Sequence, residues 1–170
     1  MKKIFSIESN GVTPPCPHCG GELKYRDSRP RIHCREGGTK EWIIIRRLKC
    51  HECGELHSEL PDCLVPYKHY DSEIIAGVID GIVTPDDADS EDYPCEETMK
   101  RWLQWYEENK ERAEGYLRNT IYRLLDYKDD ILKSGMPLLS AIKDLDVRPH
   151  WLGYILRAIY NSGGYLVPVW

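Results

Sequence analysis

Cys16-Pro17-His18-Cys19-Gly20-Gly21 and Cys50-His51-Glu52-Cys53-Gly54 decide how the first third of this 170-residue chain folds. Each stretch sets two thiols three residues apart, then supplies glycine where the backbone must turn tightly beneath an ion. Cys16, Cys19, Cys50 and Cys53 together offer four soft sulfur ligands, the tetrahedral set of a structural Zn2+ site. The 30 residues between the pairs exceed the ~15–20 of the common two-knuckle spacing, which leaves room for an extended hairpin. The pattern predicts a zinc ribbon holding one structural ion. Disulfides or buried free thiols are the competing readings, and seven cysteines in the chain exclude complete disulfide pairing.

Working outward, Lys2 to Ile7 reads as a short strand, and Asn10-Gly11 and Pro14-Pro15 as a turn and an extended approach to the first knuckle. Glu22 to Arg26 and Arg31 to Arg35 read as two strands joined through residues 27–30. Gly37-Gly38 turns the chain into Glu41 to Lys49, whose β-branched run delivers Cys50 into the second knuckle. Leu56 to Leu60 pairs back before Pro61. A zinc-ribbon β domain is thus expected over 1–66.

The remainder, 67–170, reads as a helical domain. A helix opens at Tyr70-Asp71-Ser72, with Asp71 or Ser72 as cap, carries Ile74, Ile75, Val78, Ile79 and Ile82, and is ended by Gly81 and Pro85. The acidic run 86–92 reads as loop. A second helix starts near Pro94 and runs over about 95–108, with Met99, Trp102, Leu103 and Tyr106 forming a core stripe. The pattern continues through Ala113, Leu117, Ile121 and Leu124, with Gly115 a candidate break. Shorter helices follow at Ile131–Lys133, Pro137–Ile142 and Trp151–Ile159, and the apolar tail from Gly163 is expected to tuck back. The fold class is α+β: a four-cysteine ribbon, a helix-turn-helix-like pair over about 71–108, then a C-terminal helical bundle.

Charge is unevenly distributed. Residues 22–50 hold nine Lys+Arg against four Asp+Glu, whereas residues 71–95 hold eight acids and neither lysine nor arginine. A stiff cationic hairpin next to a metal site suits phosphate binding, since guanidinium groups pair bidentately with phosphate oxygens. Arg26, Arg29, Arg31, Arg46 and Arg47 are the candidate clamp. Lys100, Arg101 and Gln104, opposite the second helix's apolar stripe, are candidates for the groove of double-stranded DNA. A solvated basic strand and an ordinary packing helix are the plainer readings. The acidic balance of residues 70–170, 11 basic against 19 acidic, and their aromatic content support a rival: an adaptor or inhibitor that binds another protein.

Enzyme chemistry finds little purchase. A closed four-thiolate site leaves no position for water, and the acidic run lacks the glycine and closing glutamate of an EF-hand. A metal-dependent nuclease using Asp86 and Asp87 is the enzyme alternative. His18 and His51 sit inside the knuckles as less suitable ligands than the thiolates. His33, Cys34, His57, Cys63 and His69 match no metal spacing and read as core or surface residues, and Cys95 as structural. Without a hydrophobic leader or a membrane-length apolar run, the chain is expected in the cytoplasm.

Cys16-Pro-His-Cys19-Gly-Gly, Arg46 to Gly54, and Leu60-Pro-Asp-Cys-Leu-Val-Pro-Tyr-Lys-His-Tyr70 resemble the N-terminal module of bacterial insertion-sequence transposases. There a zinc ribbon leads through a Pro-Tyr linker into a helix-turn-helix that holds transposon-end DNA. The whole chain is similar to an uncharacterised bacterial family of stand-alone proteins often seen in mobile elements, on the stretches Leu60–Tyr70, Gly81–Asp86 and Asp92–Trp102. The resemblance implies zinc on Cys16, Cys19, Cys50 and Cys53, and DNA contact by ribbon and following helices. It implies a regulator or accessory factor, with a recombinase or transposase as possible partner, rather than a transposase.

Overall fold

A computed structural model describes residues 4–8, 13–89, 94–124, 135, 137–144 and 150–168. Strands β1 (Ile4–Glu8), β2 (Leu23–Cys34), β3 (Lys40–Cys50) and β4 (Leu56–Pro61) form one sheet in the order β1-β4-β3-β2. Strands β2, β3 and β4 are antiparallel neighbours, and β1 adds to β4 in parallel. Helices α1 (Ser72–Ile79), α2 (Glu96–Leu124), α3 (Leu138–Asp144) and α4 (Trp151–Asn161) follow. The α+β class and the strand-then-helix order agree with the sequence reading.

Two expectations are corrected. The two strands predicted around residues 27–30 are one continuous strand, β2, interrupted only by a shift in register between Tyr25 and Asp27. Pro30 lies within it, opposite Ile44. A proline is tolerated because β2 is the sheet's edge, where a missing N–H need not break a ladder. Gly115 does not break α2, which runs through it for 29 residues; its packed side chains outweigh the roughly 1 kcal/mol that glycine costs inside a helix. The acidic run begins as a 3-10 turn, Pro85–Asp89, with Asp87 Oδ2 accepting from the Thr84 amide and hydroxyl at 2.8 and 3.0 Å. The helix expected at Ile131–Lys133 lies outside the described residues.

A single core joins sheet and helices. Ile45 and Leu60 from the sheet and Leu64 and Val65 from the linker pack with Ile75, Met99, Trp102, Leu117, Leu156 and Ile159. Asp71 caps α1, its Oδ1 accepting from the Glu73 amide at 2.9 Å. Glu114 on α2 does the same for α3 from a distance, accepting from the Leu138 and Leu139 amides at 2.8 and 3.0 Å; these are donors that a helix start leaves unpaired. Asp80, after α1, takes Lys143 Nζ and Trp151 Nε1, each at 2.8 Å, and so ties α1 to α3 and α4. The tail does tuck back: Asn109 on α2 exchanges two hydrogen bonds with the backbone of Val167, and Leu166 is buried.

Candidate metal centre and basic ribbon

Both knuckles are built by local backbone geometry. Cys16 N donates to Gly21 O and Gly20 N to Cys16 O, while Cys50 N donates to Glu55 O and Gly54 N to Cys50 O. Gly20 and Gly54 hold φ of 77° and 74°, the left-handed region where glycine has no steric penalty. The His51 amide donates to Glu22 O at 3.0 Å and so braces the second knuckle against the first turn of the ribbon.

The 30 intervening residues fold as the hairpin β2–β3, and the four sulfurs meet at its base. Cys16 Sγ lies 3.8 Å from Cys53 Sγ, and Cys19 Sγ lies 3.5 Å from Cys50 Sγ. All four fall within 4.8 Å of one another. Disulfide sulfurs would stand at about 2.05 Å, so this is no pair of disulfides. A tetrahedron with metal–sulfur bonds of about 2.3 Å has edges of about 3.8 Å, close to the 3.8 and 3.5 Å of these two edges. These four cysteines could hold one metal ion.

The surroundings suit thiolate ligands. The Gly21 amide, with the neighbouring thiols, brings Cys19 below the usual thiol pKa. The Cys53 amide acts on Cys50 in the same sense, but burial and the adjacent thiols outweigh it and push Cys50 up to about 12. A divalent cation reverses that balance by deprotonating coordinating thiols outright. His57, fully buried on β4, places Nε2 3.3 Å from Cys16 Sγ, and desolvation lowers its pKa. A neutral imidazole in that place donates its Nε2–H to the sulfur, an outer-shell contact of the kind that orients metal ligands. The sequence reading set His57 aside as a core or surface residue; its spacing from the knuckles gives no local signal, and only pairing of β4 with β3 brings it to Cys16. His18 and His51 are exposed and stand outside the sulfur cluster.

The candidate DNA residues fall into two groups. Arg26 and Arg46 are exposed and Arg29 is half-buried on the hairpin. Arg46 pairs with Glu59 at 3.2 Å and lies over the Tyr25 ring. Arg47 reaches across to Asp27, with Nη2 2.5 Å from Oδ2, and this pair holds the Asp27 carboxyl below its ordinary pKa. Arg31 turns inward. It is 9% exposed, donates to the carbonyls of Val65 and Lys68, and has its pKa lowered to about 10 by burial. Its position is that of a clasp on the linker, which Cys34 reinforces by bonding His69 O and the Asp71 amide at 2.8 and 2.9 Å. On α2, Lys100, Arg101 and Gln104 are exposed as expected, with Lys100 paired to Glu96 and Gln104 to Glu108, both at 2.8 Å. Helices α1 and α2 are joined by residues 80–95, far longer than the 3–4-residue turn of a simple helix-turn-helix. Cys95 stands exposed before α2, its sulfur 3.3 Å from Thr98 Oγ1.

The model of a domain of unknown function, DUF6431, matches residues 16–102, just over half of the chain. The chain belongs to the DUF6431 family. The DUF6431 segment begins at the first metal-type cysteine and ends at Trp102, so it takes in both knuckles, the linker, α1 and the first turns of α2. No curated protein and no solved structure matches the chain. Among the described residues no helix is long and apolar enough to cross a membrane.

Proposed function

We propose that this protein binds double-stranded DNA through a ribbon stiffened by one structural Zn2+ on Cys16, Cys19, Cys50 and Cys53. The carrying observation is a like-charge pair: Lys24 and Lys49 are direct cross-strand partners at the base of the hairpin, both exposed, and the exposed Glu22 carboxylate, 3.5 Å from Lys24 Nζ, balances only one of the two charges. Like charges in that arrangement oppose sheet formation. Their cost is offset when a polyanion lies across them. Arg26 and Arg29 lie on the same hairpin, Arg46 adds positive charge on its other face, where it is paired to Glu59, and Lys100, Arg101 and Gln104 on α2 supply the groove-facing set. In this reading α1 and α2 act as a divergent helix-turn-helix-like pair. Arg31 and Arg47 serve the interface indirectly, by fixing the linker and the hairpin. A role as regulator or accessory factor of a mobile element, with a recombinase or transposase as its protein partner, is supported by the likeness of the cysteine motifs and the Leu60–Tyr70 linker to the transposase module.

A second reading, a protein-binding adaptor, is favoured by Trp42 and Ile44, 67% and 66% exposed and two residues apart on one face of β3. Fluorescence anisotropy with a labelled mixed-sequence duplex separates the two. DNA binding predicts affinity that falls by about 0.9 log units per log unit of salt for each phosphate neutralised. It also predicts a shallower slope in the Lys24→Ala/Lys49→Ala variant. An absence of salt-dependent binding, with the metal in place, refutes the DNA reading and leaves the adaptor.

A further inference from the structure

We propose a second metal site, formed by His33, Cys63 and Asp71, with three protein ligands and an open fourth position. These residues come from β2, the linker after β4, and the cap of α1. Their candidate ligand atoms all lie within 4.8 Å of one another. His33 is 2% exposed, and its Nε2 is 3.0 Å from Asp71 Oδ2.

Each ligand is held by an outer partner that leaves its metal-facing atom in place. Glu41 Oε1 sits 3.1 Å from His33 Nδ1 and is itself held by Arg35 Nε at 3.1 Å. That is the carboxylate–histidine arrangement that orients a metal-bound imidazole through its other nitrogen. Asp71 Oδ1 is engaged by the Glu73 amide, which leaves Oδ2 facing the site. The Cys63 carbonyl accepts from the Ser72 amide at 2.8 Å, and bridges from Cys34 to Tyr70 and from Leu64 to Asp71 clamp the segments together. Positions fixed by sheet, bridge and cap give the preorganisation a three-ligand site needs.

One imidazole nitrogen, one thiolate and one carboxylate oxygen suit a zinc-type ion, and three such ligands leave a position for water or a fourth donor. His33 and Cys63 line a cavity of about 290 Å³ bounded also by Arg35, Ile44, Arg46 and Glu59, which gives that position an approach from the β3 side. The site shares no residue with the four-cysteine cluster.

The test is Co2+ titration of the full chain, followed by visible absorption and by metal analysis after dialysis. Wild type is expected to take up two equivalents, one with the intense sulfur charge-transfer of a four-thiolate site and one with much weaker absorption. Asp71→Asn keeps an oxygen to cap α1, and Cys63→Ala removes the thiol; each is expected to hold one equivalent with the four-thiolate spectrum intact. Wild type that saturates at one equivalent, or variants that still hold two, overturn the proposal. In that outcome the cluster is an ion-paired clasp between sheet and helix.

Discussion

Gly163, just past the end of α4, lies against the first knuckle: a Cβ placed there would sit 2.5 Å from the Pro17 carbonyl oxygen. Its φ of 85° is in the left-handed region as well. The turn that follows α4 therefore packs directly on the loop that carries Cys16 and Cys19. Gly163→Ala is expected to lose about 1–3 kcal/mol of stability, through backbone strain and displacement of the Pro17 carbonyl. Because the displaced loop carries two of the four candidate ligands, metal retention during chelator challenge should fall in parallel. Unchanged metal affinity would show that the contact does not reach the site.

His57 supports Cys16 without being one of the four sulfur ligands. Replacing it with phenylalanine keeps an aromatic ring, one somewhat larger than imidazole, and removes the Nε2–H. A 10- to 100-fold drop in metal affinity is expected, the usual size of an outer-shell loss. Competition against a chromophoric chelator measures it; an affinity equal to wild type would assign His57 to packing alone.

Arg31→Met leaves the Val65 and Lys68 carbonyls without their charged donor. Urea unfolding should show a loss of about 2–3 kcal/mol, the scale of hydrogen bonds to a charged group. DNA affinity of the folded fraction should not change, in contrast to substitutions at Lys24 and Lys49. A large affinity loss at unchanged stability would return Arg31 to the contact surface.

Lys68, in the linker, is desolvated, with Nζ 4.7 Å from the Trp105 ring centre, and its pKa is lowered to about 8 from 10.5. Between those values the unfolded chain binds more protons than the folded one, so this residue's contribution to stability rises with pH. The stability difference between wild type and Lys68→Met should therefore shift toward wild type from pH 7 to pH 10, by on the order of 1 kcal/mol. Parallel denaturation curves at the two pH values test this, and a shift of opposite sign contradicts it.

Metal removal should be felt beyond the ribbon. Ile45 and Leu60 pack in the same core as Trp102 and Leu156, so loss of the sulfur cluster is expected to loosen helices along with strands. Chelation followed by far-UV circular dichroism and tryptophan fluorescence should give coincident transitions. Two separated transitions would show that the helices stand without the ribbon.

The parts legible in sequence were those with a local period or spacing. The Cys-x-x-Cys pairs, the β-branched run into Cys50, the Asp71 cap and the Met99 and Trp102 positions of α2 each announce themselves within a few residues, whereas Leu103, read into the same stripe, is 43% exposed and Trp105 is buried instead. The edge position that admits Pro30 into β2 has no such signature, because it depends on which strand pairs with which. Arg31 and Arg47 look like their exposed neighbours in sequence, yet one clasps linker carbonyls and the other pairs with Asp27. Composition cannot separate an arginine that faces solvent from one that satisfies buried carbonyls.

From the order of residues alone follow a four-thiol cluster, a hairpin between its halves, helices after it, and positive charge gathered on the hairpin. All of these arise from short-range chemistry: ligand spacing, strand alternation, helix periodicity and caps. Only the tertiary structure set His57 against Cys16, turned Arg31 inward, and drew His33, Cys63 and Asp71 together from three separate elements. Those relationships join residues up to 41 positions apart, and they exist because strand pairing and one shared core, rather than any local pattern, decide which distant segments meet.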